Sequence, residues 1–507
     1  MKKIATLLLV FVLVTAELLL ASCTEKPVNP GGDDTKANQQ TEQQTVDTAP
    51  AETDRLYADV PEDLSFNDEP ITFLVIDGNY NGADWESQDI YEEHDSDEPI
   101  ASAVYKRNMA LEEKYHVKIE QYEATNTSET ARKAIKANTD EYQVLMCDTK
   151  GTLSLATQKY LLDLNEVGGI DLKNPWWDQQ MRENCSVGGR NFFATGDISI
   201  MDNDATWVLM FNKKMITSYD LESPYDLVNN NQWTYDKMYE MMDAVAGGGR
   251  GKADAGSTSV DWEHDTFGFA THNSSLTAFY YAAGLRVVDK DESDAPFFNE
   301  QNNEKTELVL QKSIKIWGQG KSELTWSADA NNLGAVELQQ VFEEGRALFL
   351  GEVMQLVFRL REMNIDFGLI PFPKFEPGQE NYGHFVHSTS ALLSIPSSCK
   401  NAEKVSYFVE AMACESMYTV TKAYYETALE GSYFRDPESA EMLPIILKSR
   451  TFDLGSVYMY DWGNVGSVFT TLLSSGSTGY SNQMKKRLTS AKKKLDKDVA
   501  KLLAAGN

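Results

Sequence analysis

The feature that most constrains the fold is the regular alternation of short apolar runs with helically spaced segments between residues 71 and 160. The runs at 71–76, 117–119 and 143–146 predict strands, and the segments at 102–115, 128–137 and 152–160 predict helices. An alternation of strand and helix at this spacing predicts a parallel sheet with helices on both faces.

A second α/β series follows after a Gly-Gly turn and a short aromatic strand, which predict a hairpin at 188–197. Its predicted strands are 207–211, 267–270 and 347–350, and its predicted helices are 235–245, 276–283, 308–317, 336–342 and 354–363. Prolines on both sides of Phe372 exclude a helix and favour an extended segment that passes between two lobes. A strand at 390–395 and a helix at 403–414 are predicted next.

The N-terminus has the features of a secretory signal: Lys2 and Lys3 precede an apolar run over 4–16. This run is too short to cross ~30 Å of hydrocarbon. The residues that follow it, Leu20-Ala21-Ser22-Cys23, resemble the bacterial lipobox. That resemblance implies cleavage after residue 22 and a diacylglycerol on Cys23, so that the chain is lipid-anchored at the extracytoplasmic face of the cell membrane. The alternative is an uncleaved signal anchor.

Residues 23–60 are predicted to be a disordered acidic tether, because Pro, Gly, Asp, Thr and Gln dominate and large apolar residues are rare. About 30 residues of flexible coil span roughly 30 Å on average. The rest of the chain is long enough for two domains with large cores.

Charge and cysteine content limit the partners. The net charge of −31 repels phosphate backbones, so nucleic acid is not an expected partner. The four cysteines after Cys23 are too widely spaced for a zinc site and could be paired or be buried free thiols: Cys147, Cys185, Cys399 and Cys414. No cofactor is predicted.

Motifs of catalytic or metal sites are weak. The chain has no G-x-S-x-G or H-E-x-x-H sequence, and the S-x-x-K match at 397–400 lacks its companion motifs. His384 and His387 lie in an extended stretch and are expected to face opposite sides. Residues 289–300 resemble a calcium loop, but its sixth position holds Asp294 instead of glycine, so an acidic hairpin is expected.

The C-terminus predicts a long amphipathic helix. Its apolar stripe consists of Met484, Leu488, Ala491, Leu495, Val499 and Leu502. The other face holds eight Lys or Arg residues between Lys485 and Lys501. This face is interpreted as solvated, with contact to anionic lipid as the alternative.

Six segments give the chain a family resemblance: YKRNMALEEKYHVKIE (105–120), PWWD (175–178), FATGDIS (193–199), FEEGRALFLGE (342–352), LREMNIDFGLIPFPKF (360–375) and RDPESAEML (435–443). Together they resemble the bacterial extracellular solute-binding proteins of family 1, the lipid-anchored receptors of ABC importers, commonly for sugars. The resemblance implies an α/β fold of the two-lobed periplasmic-binding-protein type (type II), with ligand in a cleft between lobes joined by hinge strands.

The resemblance also implies how the chain is divided. Residues 61–197 and 367–415 would form the N-terminal lobe, and residues 198–366 and 416–507 the C-terminal lobe. The crossings are expected near 197–200, 366–373 and 413–418, and closure would be a hinge motion about them.

A sugar presents hydroxyls and an apolar face, so its site needs hydrogen-bonding side chains and aromatic planes. Such side chains are expected beyond the carboxyl ends of strands or near the crossings. The predicted ligand-binding residues are Asp148, Thr149, Asp197, Asp202, Asn203, Thr271, His272, Asn273, Glu352, Tyr458, Tyr460 and Trp462. Trp176 and Trp177 are expected to pack against the first lobe, as in the family. Trp207 and Trp326 are expected in the core or at the cleft rim.

The sequence therefore predicts a monomeric, lipid-anchored receptor that captures a small solute, expected to be a carbohydrate, and delivers it to the permease subunits of an ABC importer. The alternative is an exported carbohydrate-active hydrolase, which would need two carboxylates ~5–10 Å apart across the cleft. A static surface adhesin is a third interpretation.

Overall fold

The computed structural model describes residues 55–79, 85–320, 322–329, 332, 334–360, 365–429, 436–457 and 462–504. The predicted signal, Cys23 and most of the predicted tether lie outside these residues. No helix in the described part of the chain combines the length and the apolar character needed to cross a bilayer.

The chain contributes these strands: β1 (Glu69–Ile76), β2 (Val117–Ala124), β3 (Val144–Asp148), β4 (Trp207–Asn212), β5 (Phe267–Thr271), β6 (Val288–Lys290), β7 (Pro296–Phe298), β8 (Thr325–Ser327), β9 (Ala347–Val353), β10 (Phe367–Ile370), β11 (His384–Phe385), β12 (Ala391–Ser394) and β13 (Arg450–Thr451).

The helices are α1 (Pro99–Tyr115), α2 (Thr127–Lys136), α3 (Thr149–Thr157), α4 (Gln179–Cys185), α5 (Met201–Asp204), α6 (Lys213–Ser218), α7 (Pro224–Asn229), α8 (Tyr235–Ala246), α9 (Leu276–Ala282), α10 (Asn303–Trp317), α11 (Ala335–Glu343), α12 (Met354–Arg359), α13 (Ala402–Tyr418), α14 (Val420–Leu429), α15 (Pro437–Lys448), α16 (Leu454–Val457), α17 (Val468–Ser474) and α18 (Tyr480–Leu503).

The first sheet has the strand order β12-β3-β1-β2. Strand β1 pairs in parallel with β2 and β3, as the alternation of strands and helices predicts, and β12 adds an antiparallel edge. Alternate residues of β1 face opposite layers. Phe73 packs in one apolar cluster with Phe408 of α13, and Leu74 packs in the other with Ala131 of α2.

The second sheet has the order β10-β4-β9-β5-β8. Strand β5 is parallel to β9 and β8, whereas β4 and β10 run antiparallel to their neighbours. Helix α8 lies close against β5 at Gly268, where a Cβ atom would stand 2.4 Å from Cβ of Met242. Two sheets, each with helical layers, confirm the predicted two-lobed α/β fold.

The crossings differ from the expectations in detail. Residues 188–197 form turns and single bridges instead of a regular hairpin. Strand β10 pairs with β4, so 367–370 belongs to the second sheet. Residues 413–418 lie inside α13, where Ala413 and Cys414 are buried in the core of the first lobe, so no crossing occurs there. Helix α14 contacts α1 of the first lobe, and α15 contacts β10 of the second.

Residues 289–300, which resemble a calcium loop in sequence, cover most of the β6–β7 hairpin. This agrees with the expected acidic hairpin. Asp294 has φ 61°, in the left-handed region, and forms an ion pair with Lys290. The four cysteines of the described residues are buried and free, which decides between the two alternatives for them.

The Trp176-Trp177 pair lies in the core of the first lobe, as expected. Both indole N–H groups donate to the carboxylate of Glu410 in α13, at 3.1 and 2.8 Å, and Asn174 Nδ2 donates to it at 2.6 Å. Glu410 is buried, and burial raises the pKa of its carboxyl although these donors oppose the shift. One side chain of α13 thus fixes the loop that leads out of the first lobe.

We expect Glu410→Ala to lower the free energy of unfolding by ~2–4 kcal/mol, because two buried indole donors and the half-buried amide of Asn174 lose their acceptor. Urea unfolding measures this loss. Glu403→Ala on the exposed side of the same helix is the matched control and should cost under ~1 kcal/mol. Equal losses in the two variants would contradict the role of Glu410.

Candidate ligand-binding site

Strand register brings the polar residues of the second sheet to one edge. Strands β5 and β9 are parallel with Ala270 opposite Leu350, so His272, which directly follows β5, lies level with Glu352, the last residue but one of β9. Strand β4 is antiparallel to β9 and begins at this edge, with Trp207 opposite Val353. The carboxyl ends of β5 and β9 and the start of β4 therefore meet at one place, where α/β sheets bind ligands.

The centre of this edge is an ion pair. His272 Nε2 lies 2.9 Å from Glu352 Oε2, and Glu352 Oε1 accepts the N–H of Val353 at 3.0 Å. Burial lowers the pKa of His272, but the hydrogen bond and the charge of Glu352 outweigh it, so the pKa is raised overall. The pair therefore favours a protonated imidazole beside a carboxylate.

Aromatic rings surround this ion pair. The ring of Trp207 lies 5.0 Å from that of His272 and 6.5 Å from that of His387, and Trp85 stacks on His387 at 6.1 Å with an interplanar angle of 25°. The indole N–H of Trp207 is buried without a hydrogen-bond partner among the described residues. We call Trp85, Trp207, His272, Glu352 and His387 the cleft cluster.

The pKa of His387 is shifted in the opposite direction to that of His272. Burial, reinforced by the nearby positive charge of His272, lowers the pKa of His387 to about 4. Its Nδ1 lies 2.9 Å from Thr389 Oγ1, and its backbone N–H donates to the carbonyl of Ala205 at 2.8 Å. The second bond joins the segment before β12 to the segment before β4, so the two crossings are attached to each other beside the cleft cluster.

The first sheet presents its own edge nearby. Asp148 ends β3 and caps α3 by accepting the N–H of Gly151 at 2.9 Å. Thr149 is buried; its N–H donates to Ser388 O, and its hydroxyl donates to Ser390 O. Residues Thr149, His387 and Ser390 line a cavity of about 20 Å³. This cavity is far smaller than the several hundred Å³ of a typical ligand site.

Three predicted ligand residues belong to a different network. Arg450 donates to Asp178 at 2.8 Å, to Asp202 at 2.9 Å and to the Asn203 amide oxygen at 2.5 Å. Burial raises the pKa of Asp202 to about 6 and that of Asp197 to about 7, although Arg450 opposes both shifts. Asp202 and Asn203 thus support the crossing. We call Arg450, Asp178, Asp197, Asp202 and Asn203 the hinge network.

Two other predicted residues flank the cleft cluster. Thr271 is buried, and its hydroxyl donates to the carbonyl of Gly351 at 2.9 Å, which ties β5 to β9. Asn273 is exposed, and its backbone N–H donates to Asp329 at 2.5 Å. It lines an open groove of about 410 Å³ together with Leu276, Thr470, Thr471, Ser474 and Ser475.

Trp462 does not join the cleft cluster. Its side chain is 1% exposed, packs edge-on against Phe298 at 6.0 Å and donates from Nε1 to Asp498 of α18 at 3.2 Å. The interpretation of Trp462 as a ligand platform fails because the indole fills the space under α18. Tyr458 and Tyr460 lie outside the described residues.

The sequence analysis missed Trp85 and His387 as candidate site residues and left Trp207 between core and rim. Ligand residues were expected after the carboxyl ends of strands, and Asp148 was chosen for this reason at the end of β3. The same expectation at the end of β1 would have included Trp85. His387 precedes β12, and only the antiparallel direction of that strand brings it to the edge.

Residues 92–414 match the sequence profile of the bacterial extracellular solute-binding proteins. The match covers more than half of the chain. The protein belongs to this family. No curated protein is significantly similar to the chain in sequence.

Solved structures of the same fold are distant in sequence. Mycobacterium tuberculosis UspC is 12% identical with a TM-score of 0.53, over 83% of this chain and 99% of UspC. Apo RafE from Streptococcus pneumoniae is 12% identical with a TM-score of 0.51, over 87% and 99% of the two chains. A cyclo/maltodextrin-binding protein complexed with maltotetraose is also 12% identical with a TM-score of 0.51, over 86% and 96%. At this identity the likeness concerns the fold.

The hinge network predicts a pH effect on the stability of this family member. The folded-state pKa of Asp197 is raised to about 7, above its value of ~3.9 in the unfolded chain. The folded state therefore holds an extra proton between these values, and this stabilisation is lost as the pH rises through 7. Asp197→Asn should melt progressively higher relative to wild type between pH 5 and pH 8.

The melting temperature of Asp197→Asn must be compared with that of wild type at each pH, because other groups also titrate. Burial lowers the pKa of His384 and His387, so their contribution to stability rises as the pH rises, opposite to that of Asp197. Asp220→Asn is the matched control, since Asp220 is exposed and its φ of 51° suits asparagine equally well. A difference in melting temperature that does not change with pH in Asp197→Asn would refute the assignment.

Trp462→Ala should destabilise the fold instead of weakening ligand binding. Removing a buried indole leaves a cavity and costs ~3–5 kcal/mol in free energy of unfolding. Chemical denaturation measures this cost, and calorimetry on the folded variant measures affinity. A large loss of affinity with unchanged stability would instead support Trp462 as a ligand-binding residue.

Proposed function

We propose that this protein is a lipid-anchored receptor that captures a carbohydrate between its two lobes and delivers it to the permease of an ABC importer. The observation that carries the proposal is the cleft cluster. It places three aromatic or imidazole rings and an ion pair where the carboxyl edge of the second sheet meets the crossings.

The chemistry of this cluster suits a sugar. Indole rings offer planes for the apolar face of a pyranose, and Glu352 and His272 offer an acceptor and a donor for hydroxyls. The buried indole N–H of Trp207, which has no partner among the described residues, is a further donor. Maltotetraose is bound in one of the solved structures of this fold, which supports a carbohydrate.

Entry of a solute requires movement of the lobes. The cavity beside His387 has about 20 Å³, so a sugar at this place would need the edges of the two sheets to separate and close again. The crossings that would bend are held together by the bond from His387 to Ala205 and by Arg450. We infer that these contacts confine bending to a few residues, as in hinge closure.

Membrane attachment rests on the lipobox resemblance at 20–23, and delivery to a permease rests on family membership. A diacylglycerol on Cys23 followed by a tether would keep the lobes near the importer. Cys23→Ser should release the protein from the membrane fraction if the lipid is its anchor.

The hydrolase alternative requires two carboxylates available to a substrate. Asp178 and Asp202, which lie near each other, are both bound to Arg450, and Glu352 is paired with His272. These arrangements favour binding over acid–base chemistry on a glycosidic bond. Release of reducing ends during incubation with the glycans would support the hydrolase instead.

Isothermal titration calorimetry against a panel of oligosaccharides tests the receptor. We expect one class of glycan to bind, and Trp85→Ala to weaken that binding about 10-fold, which is ~1.4 kcal/mol, through loss of a stacking plane.

Trp262→Ala is the matched control, because Trp262 is also partly exposed but stacks on Phe267 at 5.6 Å, away from the cleft cluster. Its affinity should equal that of wild type. Binding of peptides or polyamines in place of glycans would support the receptor function but contradict a carbohydrate ligand. An effect of Trp262→Ala equal to that of Trp85→Ala would overturn the site.

A further inference from the structure

Helix α18 differs in charge from the rest of the molecule. Its 24 residues hold eight Lys or Arg and two Asp, a net charge of +6, whereas the whole chain carries −31. The helix is therefore a basic segment on a strongly acidic body.

The apolar side of α18 is already used by the fold. Met484, Leu488, Ala491, Leu495 and Leu502 are buried, as the stripe predicts, and they belong to the same apolar cluster as the second sheet. The N-terminus of the helix is also fixed, because Glu307 accepts the backbone N–H groups of Gly479 and Tyr480. The helix is thus attached to the body along its apolar side and at its N-terminus, which leaves its outer side for a partner.

The outer side consists mostly of lysines. Six of them are exposed, and we call them the basic face: Lys485, Lys486, Lys492, Lys493, Lys494 and Lys497. Among the described residues, only Lys492 of this set forms an ion pair, with Glu300 at 2.5 Å. Lys486, Lys493 and Lys497 follow one another at intervals of seven and four residues, so they share one line along the helix.

We propose that the basic face is a docking surface for anionic lipid head groups. A lysine near an anionic membrane surface contributes ~1 kcal/mol, and the attraction extends over about a Debye length, ~8 Å. The aligned lysines of a straight helix can approach a flat surface together. The acidic remainder of the body is repelled by the same surface, so the interaction would also orient the molecule.

The position of the predicted anchor is compatible with this contact. The predicted tether between Cys23 and Arg55 is about 30 residues long, and a flexible coil of that length would span roughly 30 Å. A body held within this distance meets the membrane at high effective concentration, so a weak interaction suffices. The lipid binding of α18 itself does not depend on the anchor or on the identity of the solute.

Vesicle flotation with the chain from Thr24 onward, which retains every described residue but no lipidated cysteine, tests the proposal. The vesicles contain either phosphatidylcholine alone or phosphatidylcholine with 30% phosphatidylglycerol, in 100 mM NaCl. We expect binding to the anionic vesicles only, with a strong decrease at 500 mM NaCl because salt screens the attraction.

The triple variant Lys486→Gln, Lys493→Gln, Lys497→Gln should lower the partition coefficient 10-fold or more. A matched control removes three exposed lysines of the first lobe, Lys118→Gln, Lys133→Gln, Lys136→Gln, and should change it less than twofold. The charge-preserving variant with arginine at 486, 493 and 497 should bind as wild type does. Thermal unfolding of each variant confirms that it is folded.

Three results would overturn the proposal. The first is absence of binding to the anionic vesicles by the wild-type chain. The second is an equal loss in the triple variant and the first-lobe control, which would show a general charge effect. The third is binding to an acidic polypeptide such as polyglutamate without binding to the anionic vesicles, which would assign the basic face to a protein partner.

Discussion

The buried guanidinium of Arg450 is the interaction on which the relation between the two lobes depends. A buried cation must be paired, and Arg450 is paired with Asp178 after the tryptophan loop and with Asp202 in the first crossing. Arg450 itself lies in β13, beside β11 of the second crossing. Two crossings and the loop from the first lobe are therefore joined at one charged centre, and removing Arg450 would leave two largely buried carboxyl groups without their cation.

Two residues of this centre, Asp202 and Asn203, were predicted to contact the ligand, but in the structure they pair with Arg450. Asp202 and Asn203 have the residue types of a sugar site, and the sequence places them correctly at the start of the second lobe. Their partner, Arg450, is some 250 positions away in the chain. No local sequence pattern predicts a bond over that separation. A carboxylate that binds ligand and one that pairs with a distant arginine therefore cannot be told apart from the sequence.

The parts that sequence predicted well are those controlled by local periodicity. Strand β1 and helices α1, α8 and α18 begin and end within a few residues of their expected bounds, because their apolar spacing is strong. The sequence brought His272 and Glu352 to one edge because parallel strands end together there, and their contact with a ligand stays a prediction. Trp462 was misplaced because an aromatic residue near the C-terminus gives no sign of the helix that covers it, and His387 was missed because strand direction is not a local property.

The two histidines of the cleft cluster show how neighbouring groups in one site can have pKa values shifted in opposite directions. His272 contacts Glu352 and its pKa is raised, whereas His387 forms no ion pair with a carboxylate of the described residues and its pKa is lowered to about 4. A second positive charge beside His272 would be unfavourable, so protonation of one ring opposes protonation of the other. The cluster therefore combines the His272–Glu352 pair with an imidazole that is uncharged at neutral pH and with two indoles. That combination offers hydrogen-bond donors, an acceptor and apolar planes, which are the groups that a hydroxyl-rich solute needs.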